Sequence, residues 1–473
     1  MALTVLTAVV GDREAPLVSG LERSSADVQV VRRCADLIEL LAAAGAGLAR
    51  AVVLSADLQR LDRDAVAQLT AAGVAVIGLF DPQDTEAARR LTDLGVYHVL
   101  PADTPTEDIA ETVTSAVADL SEQQAQAARI RLGIADPGRA APAPPTGRRA
   151  GPTPTARPQG RVITVWGPVG GPGRTTVAVT LAAELAAAGH ETLLVDADTY
   201  GASVAQSLGL LDESAGLAAA ARAANQGALD VARLAELAPW VGDRLRVLTG
   251  LPQSRRWPEL RSAALESVWQ NARKLAIWTV IDAGFGLEAD EELMFDTAAP
   301  RRHGATLSAV TTADVIIAVG AAEPLGLQRL LSGLQDLAEV VPAGSPVRVV
   351  VTRVRDAAVG AKAEQRVREA LERYAGVRDV VLIPDDRPVL DAAMLAGRSL
   401  TEHAPTSPAC RPLTELAAQL AVEAGLYPDP ARRTSRPRLR GSGWASLTPL
   451  SQRRRRQLDG ERDRCRRSGP RDG

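Results

Sequence analysis

The stretch RVITVWGPVGGPGRTTVAVT, residues 161–180, decides how the second half of this chain folds. Val162–Trp166 is an apolar run of strand length, residues 167–173 are a glycine-rich turn, and from Thr175 an Ala/Leu pattern at helical spacing continues to about Ala188. Strand, glycine loop and helix in this order are the context a phosphate-binding loop requires. Glycines at 170, 171 and 173 let main-chain N–H groups converge on phosphate oxygens, while the open amides and dipole of the helix start favour added negative charge. Arg174 adds a cation with five donors, and Thr175 is the first hydroxyl after it, placed to ligate Mg²⁺. The plainer alternative is a tight strand-to-helix turn that holds no ligand.

Two downstream runs favour the ligand. Leu193–Leu194–Val195–Asp196–Ala197–Asp198 brings two carboxylates to the end of the next strand, followed by Thr199–Tyr200–Gly201. Ile277–Trp278–Thr279–Val280–Ile281–Asp282 is a hydrophobic strand ending in a single acid, as a Walker B strand does. Ligands of doubly wound sheets bind at the carboxyl ends of strands, so loop and acids are expected to meet there. Asp196 reads equally well as a helix-capping acid, and Asp282 has the alternative of a simple strand-end cap.

In order and spacing these features resemble the MinD/ParA family of deviant P-loop ATPases over about residues 160–426. Three further runs carry the resemblance: ADVIIAVGAAEPLGLQRL (313–330), VRVVVTRVRD (347–356), like the family's strand near the adenine, and IPDDRPVLDAAMLAG (383–397), like its IPxD segment. The resemblance implies ATP and Mg²⁺ as ligands. It places phosphates on Gly170, Gly171, Pro172, Gly173, Arg174, Thr175 and Thr176, and the base near Thr352, Arg353, Pro384 and Asp385. It assigns the metal to Thr175, Asp198 and Asp282, with Asp198 orienting the attacking water and Arg174 neutralising charge as the catalytic pair. Departures stand beside the matches: the family's early lysine, which crosses a nucleotide-sandwiched dimer, is Val169; its second lysine is Arg174; its first loop glycine is Pro168; and its base-contacting Asn is Thr352. The expected activity is therefore a slow ATPase with Arg in place of the Walker lysine. Arg301 or Arg302 is a candidate to cross the interface instead, against the reading of a solvated pair with an exposed His303.

The first segment alternates strand-like runs (Leu3–Val10, Val28–Val31, Ala51–Leu54, Val74–Phe80, Val96–Leu100) with helical patterns. Five βα units in about 120 residues predict a parallel sheet covered on both faces and resemble the receiver domain of two-component signalling. Asp12 follows the first strand and Asp57 the third, but Leu100 stands where a receiver carries Lys, which favours a docking pseudo-receiver over phosphorylation at Asp57. A receiver-like unit joined to such an ATPase looks like CpaE/TadZ, which places pilus machinery, and like actinobacterial septum-site proteins. The implied partners are a second copy of the chain, through nucleotide-dependent dimerisation, and a pilus, secretion or division protein. A non-hydrolysing scaffold and a DNA-partitioning ATPase are the alternatives.

Composition sets the frame for these readings. The 473 residues are 46% hydrophobic and 23% charged, a globular balance. The expected division is a receiver-like α/β unit at 1–130, a Pro/Gly/Ala/Arg-rich spacer at 131–160, a P-loop α/β unit at 161–426 and an Arg-rich disordered tail at 427–473. Net charge is −3, yet residues 432–473 hold fourteen Arg against four acids, leaving −13 on the remainder. Such a tail attracts phosphate on DNA or anionic lipid without reading sequence, or acts only as a solubilising end; a short helix at Leu450–Leu458 is its one expected element. Three cysteines and four histidines are scattered without paired spacing, which demotes disulfide frameworks, zinc sites and Cys/His hydrolases. With no apolar run of about 18 residues, the chain is expected to be cytoplasmic, with the inner membrane face as a peripheral alternative.

Overall fold

The computed structural model describes residues 2–131, 159–210, 215–288, 300–342 and 344–426. The tail with its expected Leu450–Leu458 helix, and the spacer up to residue 158, lie outside the described residues.

The first unit is built on strands Leu3–Ala8 (β1), Val28–Arg33 (β2), Ala51–Ser55 (β3), Ala75–Phe80 (β4) and His98–Pro101 (β5). They form one parallel sheet in the order β2-β1-β3-β4-β5, the flavodoxin-like doubly wound arrangement. Helices Glu14–Leu21 (α1), Leu37–Gly45 (α2), Arg63–Ala71 (α3), Thr85–Asp93 (α4) and Thr106–Arg131 (α5) connect and follow the strands. The sheet is covered on both sides: Leu40, Leu54, Leu69 and Leu91 fill one core, and Val5, Val53, Ile77 and Ile109 the other. This is why β3 reads as an unbroken apolar run rather than an alternating one.

The second unit holds seven parallel strands: Arg161–Trp166 (β6), Thr192–Ala197 (β7), Leu245–Leu248 (β8), Trp278–Ala283 (β9), Val315–Ala321 (β10), Val347–Val354 (β11) and Val380–Pro384 (β12). Their order is β12-β11-β10-β6-β9-β7-β8. Helices between β6 and β9 are Arg174–Ala187 (α6), Val204–Ser207 (α7), Gly216–Asn225 (α8), Val231–Leu237 (α9) and Ser262–Leu275 (α10). After β9 come Gly304–Thr312 (α11), Pro324–Val340 (α12), Asp356–Val359 (α13), Ala363–Ala375 (α14), Arg387–Leu395 (α15), Leu400–His403 (α16) and Arg411–Glu423 (α17). The chain leaves β6 toward β7 on one side and later returns to β10 on the other, so the strand order reverses beside β6 and opens the crevice where such folds bind ligands.

The two units touch through α3, which lies against α8 and α10. Asp64 pairs with Arg261 at 2.9 Å, Asn225 Nδ2 donates to Asp62 Oδ2 at 3.1 Å, and Arg89 stands 3.5 Å from Asp230. Burial pushes the Asp64 carboxyl up, and the Arg261 guanidinium opposes that shift.

Candidate functional site

Register alone brings the acids together. In the sheet Val165 lies beside Asp282, and Asp282 beside Asp196, so the end of β6, the loop after it and both acidic strand ends share one edge. Asp198 follows β7 by one residue and is held by turn amides: Tyr200 N donates to its Oδ1 at 2.8 Å and Gly201 N at 3.2 Å. Asp196 accepts from Val204 N at 3.0 Å and from Asp198 N at 3.3 Å, which settles its geometry as a local cap of the β7–α7 turn.

The glycine loop runs into α6 with an opening left for an anion. Helices α2, α3 and α4 are capped by Asp36, Asp62 and Asp84, each accepting from an amide of the first turn. By contrast α6 starts on Gly173 at φ +96°, a left-handed conformation that favours glycine, with no side-chain cap and no acid in its first turn. Its leading amides and the positive end of its dipole are thus not neutralised by a carboxylate of the helix itself.

Loop carbonyls, in turn, are held by side chains. Arg174 Nη1 donates to Gly167 O at 3.0 Å and Pro168 O at 3.2 Å, Arg353 Nη2 donates to Gly171 O at 2.8 Å, and Thr352 Oγ1 donates to Pro172 O at 2.7 Å. Because a trans peptide is planar, with C=O and the following N–H opposed, holding the Pro168 and Pro172 carbonyls aims the amides of Val169 and Gly173 the other way. Arg353 itself adopts φ +58°, an uncommon conformation for a side chain of that size.

Arg174 also closes on Asp198, Nη2 to Oδ2 at 3.0 Å, with both side chains nearly buried at 12% and 8% exposure. Thr175 Oγ1 donates to Asp282 Oδ2 at 2.6 Å and lies 3.1 Å from Ser203 Oγ. Asp282 Oδ1 is buried and has no hydrogen-bond partner. Burial pushes the Asp196 carboxyl up to about 7, with Asp198 adding to the rise against its backbone hydrogen bonds. Burial and then repulsion from Asp196 push Asp282 well above the usual range, opposed by the Thr175 hydroxyl and Arg174. A divalent cation beside Thr175 and Asp282 would use the orphaned oxygen and relieve that repulsion, so these residues fit Mg²⁺. Among the described residues no group of three or more His, Cys, Asp or Glu is placed to hold a metal ion.

Behind the loop a cavity of about 110 Å³ is lined by Gly173, Thr176, Thr352, Arg353, Pro384 and Asp385, among others. The residues expected around a base therefore gather at one place. Thr352 Oγ1 is engaged with the Pro172 carbonyl, with Gly320 O at 3.2 Å, so its hydroxyl supports the loop rather than pointing freely at a base. Asp385 is tied to Arg355 at 3.5 Å and Arg387 at 3.4 Å.

Residues 163–395 match the family described as the CobQ/CobB/MinD/ParA nucleotide binding domain. The C-terminal part of the chain belongs to this family. Among solved structures, the chain is similar to the cell division ATPase MinD of Pyrococcus furiosus, at 22% identity over 56% of this chain and 99% of that one, TM-score 0.43. It is likewise similar to septum site-determining protein MinD complexed with Mg-ADP from Pyrococcus horikoshii OT3, at 22% identity over 56% and 98%, TM-score 0.43. A ParA family ATPase from Chlorobium tepidum TLS matches at 17% identity over 54% and 98%, TM-score 0.45. Curated proteins give no match.

Within this MinD/ParA-family domain Val169 is 52% exposed at the loop tip. Arg302, expected to be half of a solvated pair or a finger, is half-buried within the chain: its guanidinium lies 3.7 Å over the Tyr200 ring and donates to Thr199 O at 3.2 Å. His303 is half-buried rather than exposed, stacked 5.8 Å from Tyr200 and 3.3 Å from Glu288. The aromatic edge of Tyr200 and Phe285, Ser203 beside Thr175, and Arg329 beside the loop carry no local sequence signal; only a reader who already knew the strand order could place them near Asp198 and Gly170.

The first unit has its own crevice at the carboxyl edge, about 650 Å³, lined by Asp12, Arg13, Asp57, Asp81 and Arg90 among others. Leu100 lies within β5 at that edge and brings no cation to Asp57. Among the described residues no helix is long and apolar enough to cross a membrane.

Proposed function

We propose that this protein is an ATP-dependent positioning protein, a slow ATPase whose nucleotide state sets a monomer–dimer equilibrium and thereby its hold on a pilus, secretion or division partner. The observation that supports it most is the convergence of an uncapped helix start, Arg174, Thr175, Asp198 and Asp282 on one sheet edge. In this reading the amides of Gly170, Gly171, Gly173 and Thr175 hold phosphate oxygens, Thr175 and Asp282 hold Mg²⁺ with Asp198 nearby, and Asp198 orients the water that attacks the terminal phosphorus. Bound Mg²⁺ supplies charge neutralisation between the phosphates. Thr176, Thr352, Arg353, Pro384 and Asp385 line the base side. The solved MinD bound to Mg-ADP is consistent with these ligands for the family.

One observation favours the second reading, a scaffold that binds nucleotide without hydrolysing it: Arg174 is paired with Asp198, the acid that would handle water. ATP binding must break or share that pair. Residues 2–131 act in either reading as a docking unit, supported by Leu100 at the position of a receiver's Lys.

Binding and hydrolysis of ATP by the purified full chain, beside Arg174→Ala, Arg174→Lys and Asp198→Ala, test the proposal. Removing the charge-assisted contacts in Arg174→Ala should weaken ATP at least about tenfold, with Arg174→Lys intermediate. Asp198→Ala should keep binding and lose turnover by about 100-fold or more. Binding without turnover in the unmodified protein selects the scaffold, and no affinity for ATP or ADP ends both readings.

A further inference from the structure

Val169 leaves the loop tip without a charged side chain, yet the loop is not short of cations. Three guanidiniums reach it from three elements: Arg174 from α6, Arg353 from the end of β11, and Arg329 from α12. Two are answered by acids. Arg174 has Asp198 at 3.0 Å and Arg353 has Glu323 at 3.9 Å. Among the described residues Arg329 has no ion-pair partner, and it is exposed. Its one recorded hydrogen bond is long, Nη1 to Val169 O at 3.4 Å.

The same guanidinium lies against Gly170, where a Cβ would meet Arg329 Nη1. Gly170 sits at φ +117°, a backbone conformation that side chains rarely adopt, and that conformation is what calls for glycine, since the exposed guanidinium could swing aside.

We propose that Arg329 is the phosphate-binding cation of the loop tip, supplied from within the same chain in place of the trans contact that Val169 cannot make. Its weak bond to the Val169 carbonyl parks it beside the site. Rotation of an exposed side chain exchanges that carbonyl for an oxygen of the outer phosphates, where an unneutralised guanidinium makes charge-assisted, two-pronged contacts. The charge favours a triphosphate over a diphosphate, since the third phosphate adds negative charge at the loop tip. This inference rests on the nucleotide reading above and adds to it that the tip cation needs no second subunit.

Equilibrium binding of fluorescent ATP and ADP analogues to the full chain, at protein concentrations differing a hundredfold, tests it, with Arg329→Ala, Arg329→Lys and Arg366→Ala compared. Arg366 is also an exposed arginine that donates to a backbone carbonyl, Val359 O, remote in sequence from the loop. Arg329→Ala should weaken ATP about tenfold and ADP less, as loss of a charge-assisted contact does. Arg329→Lys should recover part of the loss, Arg366→Ala should match the unmodified protein, and the loss in Arg329→Ala should be as large at the lower protein concentration as at the higher one, whatever dimerisation adds to affinity in both proteins. If the unmodified protein binds ATP and Arg329→Ala binds it equally, or if the loss is seen only at the higher protein concentration, the Arg329 assignment is wrong while the nucleotide reading stands. If the unmodified protein binds neither nucleotide, both fall.

Discussion

At the scale of single residues, substitution of lysine by arginine changes the loop's logic. An ammonium is a point charge, whereas the Arg174 guanidinium is a fork wide enough to hold two loop carbonyls and an acid at once. Its charge stays, but both terminal nitrogens are already engaged while Nε is buried without a partner, and that is why turnover is the open quantity and binding the expected one. Elsewhere a single histidine sets an acid limit on stability. His190 is buried, and desolvation, followed by the nearby Arg244, lowers its pKa below the ordinary 6.5. At this histidine the unfolded chain binds more protons than the folded one just below pH 6.5, so its contribution to stability is full above that pH and is lost as pH falls beneath it, while the raised Asp196 and Asp282 carboxyls act in the opposite sense over the same range. In urea titrations between pH 7.5 and 5, His190→Gln should therefore gain stability relative to the unmodified protein as pH falls; an equal slope in both proteins would show that His190 contributes nothing to the pH dependence.

Among the elements, α6 carries the most. Its Ala, Val and Leu residues are buried almost all round, with Val177, Leu181 and Leu185 between the sheet and α17, which is the pattern of a core helix rather than a surface one. Burial fixes the direction in which its uncapped start points, so packing and anion binding are coupled through one rigid rod. Leu181 is fully buried, and Leu181→Ala should destabilise the domain by about 2–5 kcal/mol, the range for removing a core leucine. A loss well under that in chemical denaturation would mean that the core around α6 closes over the gap. Strands were legible because both faces are covered: β6 and β9 read as largely apolar runs, and their observed limits differ from the expected ones by one residue, while β10 falls inside the run 313–330. Helix α12 runs to Val340, beyond the matched run ending at Leu330, because its apolar spacing continues against β10.

For the molecule as a whole, the contact between the two units decides whether the first can influence the second. Helix α8 is the second helix after Asp198, and α10 leads into the strand carrying Asp282, so α3 rests on helices from the two segments that carry the candidate acids. The half-exposed Arg261 and buried Asp64 are the pair with the most to lose when water is excluded. Arg261→Glu should raise the radius of gyration in solution scattering, and adding Asp64→Arg should return it. A single variant as compact as the parent would show that this pair does not hold the units together.

Local chemistry determined what could be read directly. A glycine loop between an apolar strand and an Ala-rich helix, and acids closing two other apolar strands, follow from spacing and side-chain type, so the doubly wound fold and the residues of its edge were in the sequence. Pairings that depend on two distant segments were not. That Arg174 turns to Asp198, that Thr352 supports Pro172, that Arg302 lies on Tyr200 and that Arg329 stands at Gly170 all follow from strand order and helix packing, which set distances between residues tens to more than a hundred positions apart. Side-chain type fixes what a group can do; only the tertiary structure, by excluding water and choosing neighbours, fixed which partner each charged group meets.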